Sequence, residues 1–416
     1  MAILHRVKTV SGLIPRYVSR FACIGPTCED TCCVGWRVSL DKKTYKAYRQ
    51  STDPVLAPRF ARDVIRTEGA NASSGNERDY GRMALEPVTT ACTMLDDNKL
   101  CAIQARLGES YLSDTCSQYP RLSREIDGQF QQGLQLSCPE AARQALLAPD
   151  AFEFDQSTLQ LRPATVFTVA NRHGLPVSVV DELRIFCLNL LRLEGVPLWQ
   201  RLALLGVFCE RLDAMLAAGE QHLVPKLPEE FSAMLAQGDF MAELDGMRPD
   251  HAAQAVVFAT LLAGKKFVTA SPAHMAVNAS VAAGLGANQH GIVGRDQLID
   301  GYTHGAGRLP EALVAAPHLL DHYILNEMFT ILFPFDGGTP YDNYLQLIAR
   351  FGVLRLMLAA QCNTDGPLPD VATLVATVQI HCRRFQHDPE FSRQINEALT
   401  ATGWHTLDKL FAFLRT

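Results

Sequence analysis

Twelve cysteines occur in this 416-residue chain, and eight of them fall in its first third. The tightest group is Cys23-x4-Cys28-x3-Cys32-Cys33, inside FACIGPTCEDTCCVGW. The thiolate is both a soft metal ligand and a nucleophile, so thiols at this density point to metal or redox chemistry. Gly25, Pro26, Thr27, Thr31 and Gly35 around them are small or turn-forming, and suit a backbone wrapped closely around an ion or cluster. Cys92 and Cys101 flank TMLDDNKL, which has the form of a short hairpin with Asp96-Asp97-Asn98 at its turn. Cys116 follows, shortly before Tyr119-Pro120-Arg121, and then Cys138. The eight thiols come from four chain segments that are expected to converge. Cys187, Cys209, Cys362 and Cys382 sit in apolar helical sequence and read as small buried hydrophobes.

The N-terminus carries basic residues throughout and no apolar stretch of the kind a secretory signal needs, so the expected location is cytoplasmic. In a reducing compartment clustered cysteines favour metal over disulfides. A zinc ribbon would show two C-x2-C pairs, and none is present. The bacterial ferredoxin run and the plant-type spacing are also missing. The C-x3-C-x2-C loop associated with radical S-adenosylmethionine enzymes fails because, after Cys28 and Cys32, the next required position holds Gly35. Iron–sulfur and zinc both accept four thiolates, so the spacing leaves both open, together with a purely stabilising metal knot.

Three stretches, FACIGPTCEDTCCVGWRVSLD, ACTMLDDNKLCAIQARLGESYLSDTCSQYPR and LSCPEAAR, resemble the flagellin lysine-N-methylase family. That family belongs to a wider group of bacterial proteins with a CxxCxxCC-type cysteine cluster, from whose short label the gap between Cys23 and Cys28 departs. HLLDHYILNEMFTILFPF and YDNYLQLIARFGVLRLML are similar to the family's helical segments, so the resemblance covers both ends of the chain and leaves the middle less distinctive. It implies methyl transfer from S-adenosylmethionine to the ε-amines of flagellin lysines. It also implies a [4Fe–4S] cluster held within the set Cys23, Cys28, Cys32, Cys33, Cys92, Cys101, Cys116 and Cys138. A lysine amine, with a pKa near 10.4, is protonated at neutral pH and has no lone pair to attack a sulfonium. A polar transferase must desolvate it or supply a base; a cluster instead offers one electron to the sulfonium or an open iron for the cofactor's amino acid. The sequence leaves polar and radical routes both open, and names no catalytic or cofactor-binding residue. The alternative is a non-enzymatic metal or redox protein, against which the long helical remainder argues.

The other candidates are weaker. No G-x-G-x-x-G follows a strand, which argues against a Rossmann-type methyltransferase. Gly284-Leu-Gly286-Ala-Asn-Gln-His-Gly291-Ile-Val-Gly294 and His304–Arg308 (HGAGR) read as connectors, or as loops facing a phosphate or carboxylate. His318 and His322 have a helical ligand spacing, with Asp321 and Glu327 nearby, but read better as exposed histidines at a helix start. Adjacent on a helix, His381 and Cys382 diverge by about 100° and make a poor dyad. Tyr323, Phe329, Phe333, Phe335, Tyr341 and Tyr344 form a stripe that suits a core better than a lysine channel.

Positioning these residues calls for a mainly α fold: an N-terminal cysteine-rich metal or cluster module with minor β structure (1–150), then an all-helical body (151–416). Trp36–Leu40 alternates and ends at Asp41, a helix cap; Phe152–Phe154 and Leu159–Leu161 predict a small hairpin. Ser178 and Asp181 predict a capping box, Pro197 a further helix start, and Pro334–Gly338 a break. Helices are expected over Ala252–Gly264, Pro310–Leu332, Tyr341–Cys362, Val371–Phe385 and Trp404–Leu414. Asn71–Arg78 reads as a polar loop. The best apolar run, Ala252–Gly264, is too short for a membrane span. A net charge of −6 gives no sign of nucleic-acid binding. The first 150 residues hold 19 basic and 17 acidic side chains, so the acidic excess lies in the remainder.

Overall fold

A computed structural model describes residues 4–67, 77–238, 241, 244–264, 271–386 and 389–415. The 71–76 part of the expected polar loop lies outside these residues. Strand β1 (Lys8–Pro15) runs into α1 (Arg16–Arg20), and after the first cysteine group β2 (Ser39–Leu40) leads to α2 (Lys42–Arg49). Asp41 caps α2 as its position suggests, its side chain accepting from the N–H groups of Lys43 and Thr44. Next come α3 (Leu56–Asp63), β3 (Val64–Arg66) and β4 (Gly81–Met83), and β2, β4 and β3 form an antiparallel sheet in that order. This sheet and its helices bury a small core around Leu40, Phe60, Met83, Met94 and Ile103.

Helices α4 (Ala102–Leu107) and α5 (Asp114–Gln118) precede β5 (Arg121–Ile126), β6 (Gln129–Leu134), α6 (Pro139–Leu147), β7 (Phe154–Leu161) and β8 (Val166–Thr168). The larger sheet has the order β7-β1-β6-β5-β8. β5 and β6 are joined through Asp127 (φ 48°) and Gly128 (φ 76°), both left-handed, as an Asp-Gly hairpin turn requires. The hairpin expected around residues 152–161 is instead the single strand β7, paired antiparallel with β1 along its whole length. A long-range partner takes up the ladder bonds that a local turn would have supplied. Because β7 and β8 complete this sheet, the chain after residue 150 is not all helix.

Eleven α-helices follow among the described residues: α7 (Val177–Leu190), α8 (Leu198–Ala217), α9 (Leu227–Gln237), α10 (His251–Ala263), α11 (Pro272–Gly284), α12 (Arg295–Leu313), α13 (Leu319–Thr330), α14 (Pro340–Cys362), α15 (Val371–Phe385), α16 (Pro389–Thr402) and α17 (Leu407–Leu414). The fold is mainly α with some sheet. The Ser178 capping box does not form: Pro176 occupies the cap, and Asn171 Oδ1 accepts from the N–H of Val177 at 3.1 Å. The helix expected over Pro310–Leu332 is two helices, with Pro310 inside α12, because the buried face Tyr302, Ala306, Leu309 and Ala312 continues past the proline. α14, rather than the shorter Ala252–Gly264 run, is long and apolar enough to cross a membrane, but 94% of its apolar window is buried inside the protein.

Small residues let α11 and α12 close on α14. A Cβ on Gly305 would lie 1.9 Å from the Ala359 carbonyl oxygen, and one on Gly284 1.8 Å from that of Ala360. HGAGR is therefore a helix-packing segment rather than a ligand loop. Between α11 and α12 the chain is a connector, with Asn288 Oδ1 accepting from the N–H groups of His290 and Ile292. Gly305→Ala should destabilise the fold by about 1–3 kcal/mol through overpacking. Gly307→Ala, two residues on and facing open space, should be neutral or stabilise by up to about 1 kcal/mol. Denaturant unfolding of both variants checks the pair of signs.

Candidate metal centre and charged cavity

Five of the eight N-terminal cysteines, Cys32, Cys33, Cys92, Cys101 and Cys116, line one cavity of about 100 Å³. Its remaining wall is largely apolar, with Trp36, Leu40, Tyr48, Met83, Met94 and Tyr119 among the lining residues. The cysteine pair of the first group is brought there by backbone pairing: the N–H of Cys92 donates to the Cys33 carbonyl at 2.7 Å, and Gly35 N–H to that of Thr90 at 3.1 Å. The expected turn between Cys92 and Cys101 forms, with Leu95 opposite Cys101 and Asp96 Oδ1 accepting from the N–H groups of Asn98 and Leu100. Ser113 caps α5 by accepting from the Cys116 N–H, and Cys138 stands at the N-cap of α6. Trp36 Nε1 donates to the Cys32 carbonyl at 2.6 Å, and its ring meets that of Tyr119 edge-on at 4.7 Å. Cys23, Cys28 and Cys138 do not line this cavity.

Desolvation governs the thiols. It raises Cys92 to about 11, Cys116 to about 12 and Cys138 to about 11, and also raises Cys28 and Cys101. Cys116 has accessible surface, but that surface belongs to the cavity wall. Cys32 and Cys33 share a hydrogen bond, which draws Cys33 down to about 7 and pushes Cys32 well above the ordinary thiol value. Four or more thiols around an apolar pocket gain from a cation that neutralises them together. Among the described residues no three cysteine sulfurs lie within 4.8 Å of one another. A tetrahedral zinc site, with Zn–S near 2.3 Å, would hold its sulfurs roughly 3.8 Å apart. Four thiolates are a donor set that zinc and iron–sulfur clusters both take. His5, Asp41 and Asp114 bring their ligand atoms within 4.8 Å, but Asp41 caps α2 and His5 Nε2 bonds Thr44 Oγ1 at 2.7 Å.

Asp30, between Cys28 and Cys32, is 3% exposed. Its Oδ2 pairs with Arg383 Nη1 at 2.6 Å and accepts from Gln379 Nε2 at 2.9 Å, both residues of α15. The same Gln379 amide donates to the Ser137 carbonyl at 2.8 Å, and Arg383 Nη2 to that of Val34 at 2.7 Å. One helix of the C-terminal part therefore holds the segments on either side of Cys32-Cys33 and the residue before Cys138.

Gln386, the C-cap of that helix, lines a second cavity of about 550 Å³ with Glu327, Asp336, Gly337, Gly338, Arg350 and Arg393. Glu327 is 1% exposed, bonded by Gln386 Nε2 and paired with Arg350 Nε at 3.3 Å. Its Oε2 nevertheless completes no hydrogen bond, nor does Gln386 Oε1. Burial raises the Glu327 carboxyl against the pull of Arg350. Asp336 has accessible surface at the mouth, yet the protein packed around it lifts its carboxyl to about 6 against Arg124 and Arg350. Sequence reasoning placed Asp336 only in a helix break and Glu327 only beside two histidines. A lone acid inside the apolar run LLDHYILNEMF was the available signal.

The remaining candidates are structural. His322 is buried against Phe152 rather than exposed, and burial lowers it to about 4; it stacks on His318 at 5.2 Å. His381 Nε2 meets the Tyr323 hydroxyl at 3.1 Å, and Cys382 is buried apart from it. Tyr323, Phe329, Phe333, Phe335 and Tyr344 are core, with Tyr341 packed at its edge. Cys187, Cys209, Cys362 and Cys382 are all buried, as their apolar setting suggests.

Residues 184–413 match the sequence model of the FliB lysine N-methylase C-terminal domain. The lysine-N-methylase of Salmonella typhimurium (strain LT2) is 32% identical over 185 residues, 44% of this chain and 43% of that protein. The lysine-N-methylase of Salmonella choleraesuis matches with the same identity and coverage. The flagellar biosynthetic protein FliU of Salmonella muenchen is 33% identical over 145 residues, 35% of this chain and 82% of that protein. The matched stretch thus spans less than half the length of the two lysine-N-methylases. No solved structure matches.

Asp30→Ala should cost about 3 kcal/mol, because it leaves the Arg383 guanidinium facing a buried site without its carboxylate. Asp30→Asn, still able to accept from Gln379, should lose less. Denaturant unfolding of both variants measures the difference.

Proposed function

The chain belongs to the FliB lysine N-methylase family, and on that footing we propose that it transfers methyl from S-adenosylmethionine to lysine ε-amines of flagellin. In this reading thiols of the cysteine cavity hold a [4Fe–4S] cluster and the reaction takes place in the cytoplasm, where those thiols stay reduced. The relatives' names support the lysine and the flagellar target. The observation that carries the reading is the placement of α15, which touches the cysteine loop through Gln379 and Arg383 and meets the charged cavity through its C-cap residue Gln386. At 1.5 Å of rise per residue these attachments are spread over about 10 Å of helix axis. A thiol-held centre and a cavity of small-molecule size are thus served by one rigid element.

Within the charged cavity the chain's own groups can do what an amine acceptor needs. Glu327, buried beside Arg350 with its Oε2 accepting no hydrogen bond, offers an acceptor to a cationic ammonium. Asp336, with a carboxyl near 6, is ionised at neutral pH and basic enough to take the proton of an ammonium that the cavity desolvates. The Gly337-Gly338 turn (φ 112° and 65°) keeps side chains out of the mouth beside it. When bound, a cluster would supply one-electron chemistry or an iron that takes the donor's amino and carboxylate groups.

The anaerobically reconstituted chain, given methyl-labelled S-adenosylmethionine and flagellin, should place label on lysine, read by peptide mass spectrometry. A metal-loaded chain that binds the donor but labels no lysine would overturn the assignment and leave a metal-binding protein. Asp336→Asn should slow transfer by about 10²-fold. Because the base works only when ionised, the wild-type rate should rise as pH increases through about 6. A flat profile, or full activity in the variant, would remove Asp336 from the chemistry.

A further inference from the structure

A third cavity, of about 250 Å³, lies against the larger sheet and shares no lining residue with the cysteine cavity or the charged cavity. Leu13 of β1 and Gln131 of β6 stand opposite each other in register and both line it. Ile185 and Leu188 of α7 make a second side, and Leu325 and Phe329 of α13 a third. Phe329 is buried and packs on Phe154 with ring centroids 5.4 Å apart, so this part of the wall is already formed. Leu325 and Phe329, four residues apart, share a face of α13. Glu327 lies about 200° around that helix and lines the charged cavity instead, so α13 itself is the partition.

One wall of this apolar space carries a buried cation. Arg184 of α7 lines the cavity and is 2% exposed. Its Nη1 pairs with Asp181, its Nη2 reaches Gln131 Oε1 only at 3.4 Å, and its Nε has no hydrogen-bond partner. Nε and Nη2 share the edge of the guanidinium that takes a carboxylate side-on through two parallel bonds. Arg192, just past the end of α7, is exposed and lines the same cavity. Among the described residues it makes no ion pair, and no acidic side chain lines the cavity. Asp181 therefore balances one of two arginines, and positive charge is left over.

We infer that this cavity binds a small molecule built of an apolar stem and one carboxylate. The carboxylate sits on the Nε–Nη2 edge of Arg184, and the stem lies between Leu13, Leu188, Leu325 and Phe329. A neutral apolar ligand would fill the space and leave the Arg184 Nε without an acceptor. A multiply charged anion such as a phosphate would lose its water against walls that offer one open edge and few other donors. The volume falls just below the roughly 300 Å³ at which ligand pockets usually begin, so the stem is short. Methyl transfer plays no part in this argument, so either conclusion can fail while the other stands.

The test is isothermal titration calorimetry of the full chain with octanoate. Octanoate should bind once per chain. 1-Octanol keeps the stem without the charge, and butyrate keeps the charge on a shorter stem. Each should bind at least about tenfold more weakly than octanoate. Arg184→Lys retains a cation beside Asp181 but loses the side-on edge, and should weaken octanoate about tenfold. Arg192→Glu changes an exposed residue, so it keeps the fold while reversing the charge at the cavity, and should weaken octanoate several-fold. Glu327→Gln, on the far side of α13, should leave octanoate affinity unchanged. Full affinity in either arginine variant, 1-octanol binding as tightly as octanoate, or loss of octanoate binding in Glu327→Gln would each overturn the assignment. So would the absence of binding to the wild type at millimolar octanoate.

Discussion

The carboxylate of Asp30 is the point on which the arrangement turns. It lies inside the cysteine loop, is almost wholly removed from water, and finds its counter-charge more than 350 residues later in sequence on α15. A buried carboxylate without that partner would be costly, so the loop and the helix are obliged to meet. Once they meet, Gln379 fixes the approach of Cys138 and Arg383 fixes the carbonyl of Val34 beyond Cys33. The thiols are thereby held in place by the part of the chain that matches the FliB family, and not only by their own local turns.

The helical part is in turn organised around α14. Its neighbours approach so closely that backbone stands where a side chain would otherwise be, at Gly284 and Gly305. Close packing of this kind resists small displacements. It gives α15 a firm seat, and α15 then relates the cysteine loop at Gln379 and Arg383 to the charged cavity at Gln386. Glu327 and Arg350 place a buried ion pair at that cavity, each with hydrogen-bonding capacity left over. A bound ammonium would supply the donor that Glu327 Oε2 lacks.

Much of this was legible in the residues. The helix Val371–Phe385 begins and ends where its periodicity places it, Asp41 caps α2, and the turn between Cys92 and Cys101 closes on Asp96. Local chemistry decides those features, so local sequence reveals them. The failures are long-range in origin. β7 looked like half a hairpin because its partner β1 lies near the start of the chain. Glycines in HGAGR looked like a loop because the helix they pack against comes some fifty residues later. Pro310 looked like a helix start, although the buried face of α12 carries through it. The Asp127-Gly128 turn between β5 and β6 is, by contrast, a local signal that the sequence carries in plain form. Spacing could identify the eight thiols but could not sort them, since their grouping depends on α15 and α6.

The central claim is that the thiol-held centre and the methyl-donor site belong to one assembly fixed by α15. Its most direct test is electron paramagnetic resonance of the reduced, anaerobic chain, recorded before and after saturation with S-adenosylmethionine. The account predicts that the cluster signal changes its g-values when the donor binds, and that Arg383→Gln weakens that change while donor binding persists. An identical signal with and without saturating donor in the wild type would contradict it, and would make the cysteine-held metal a structural element remote from the chemistry.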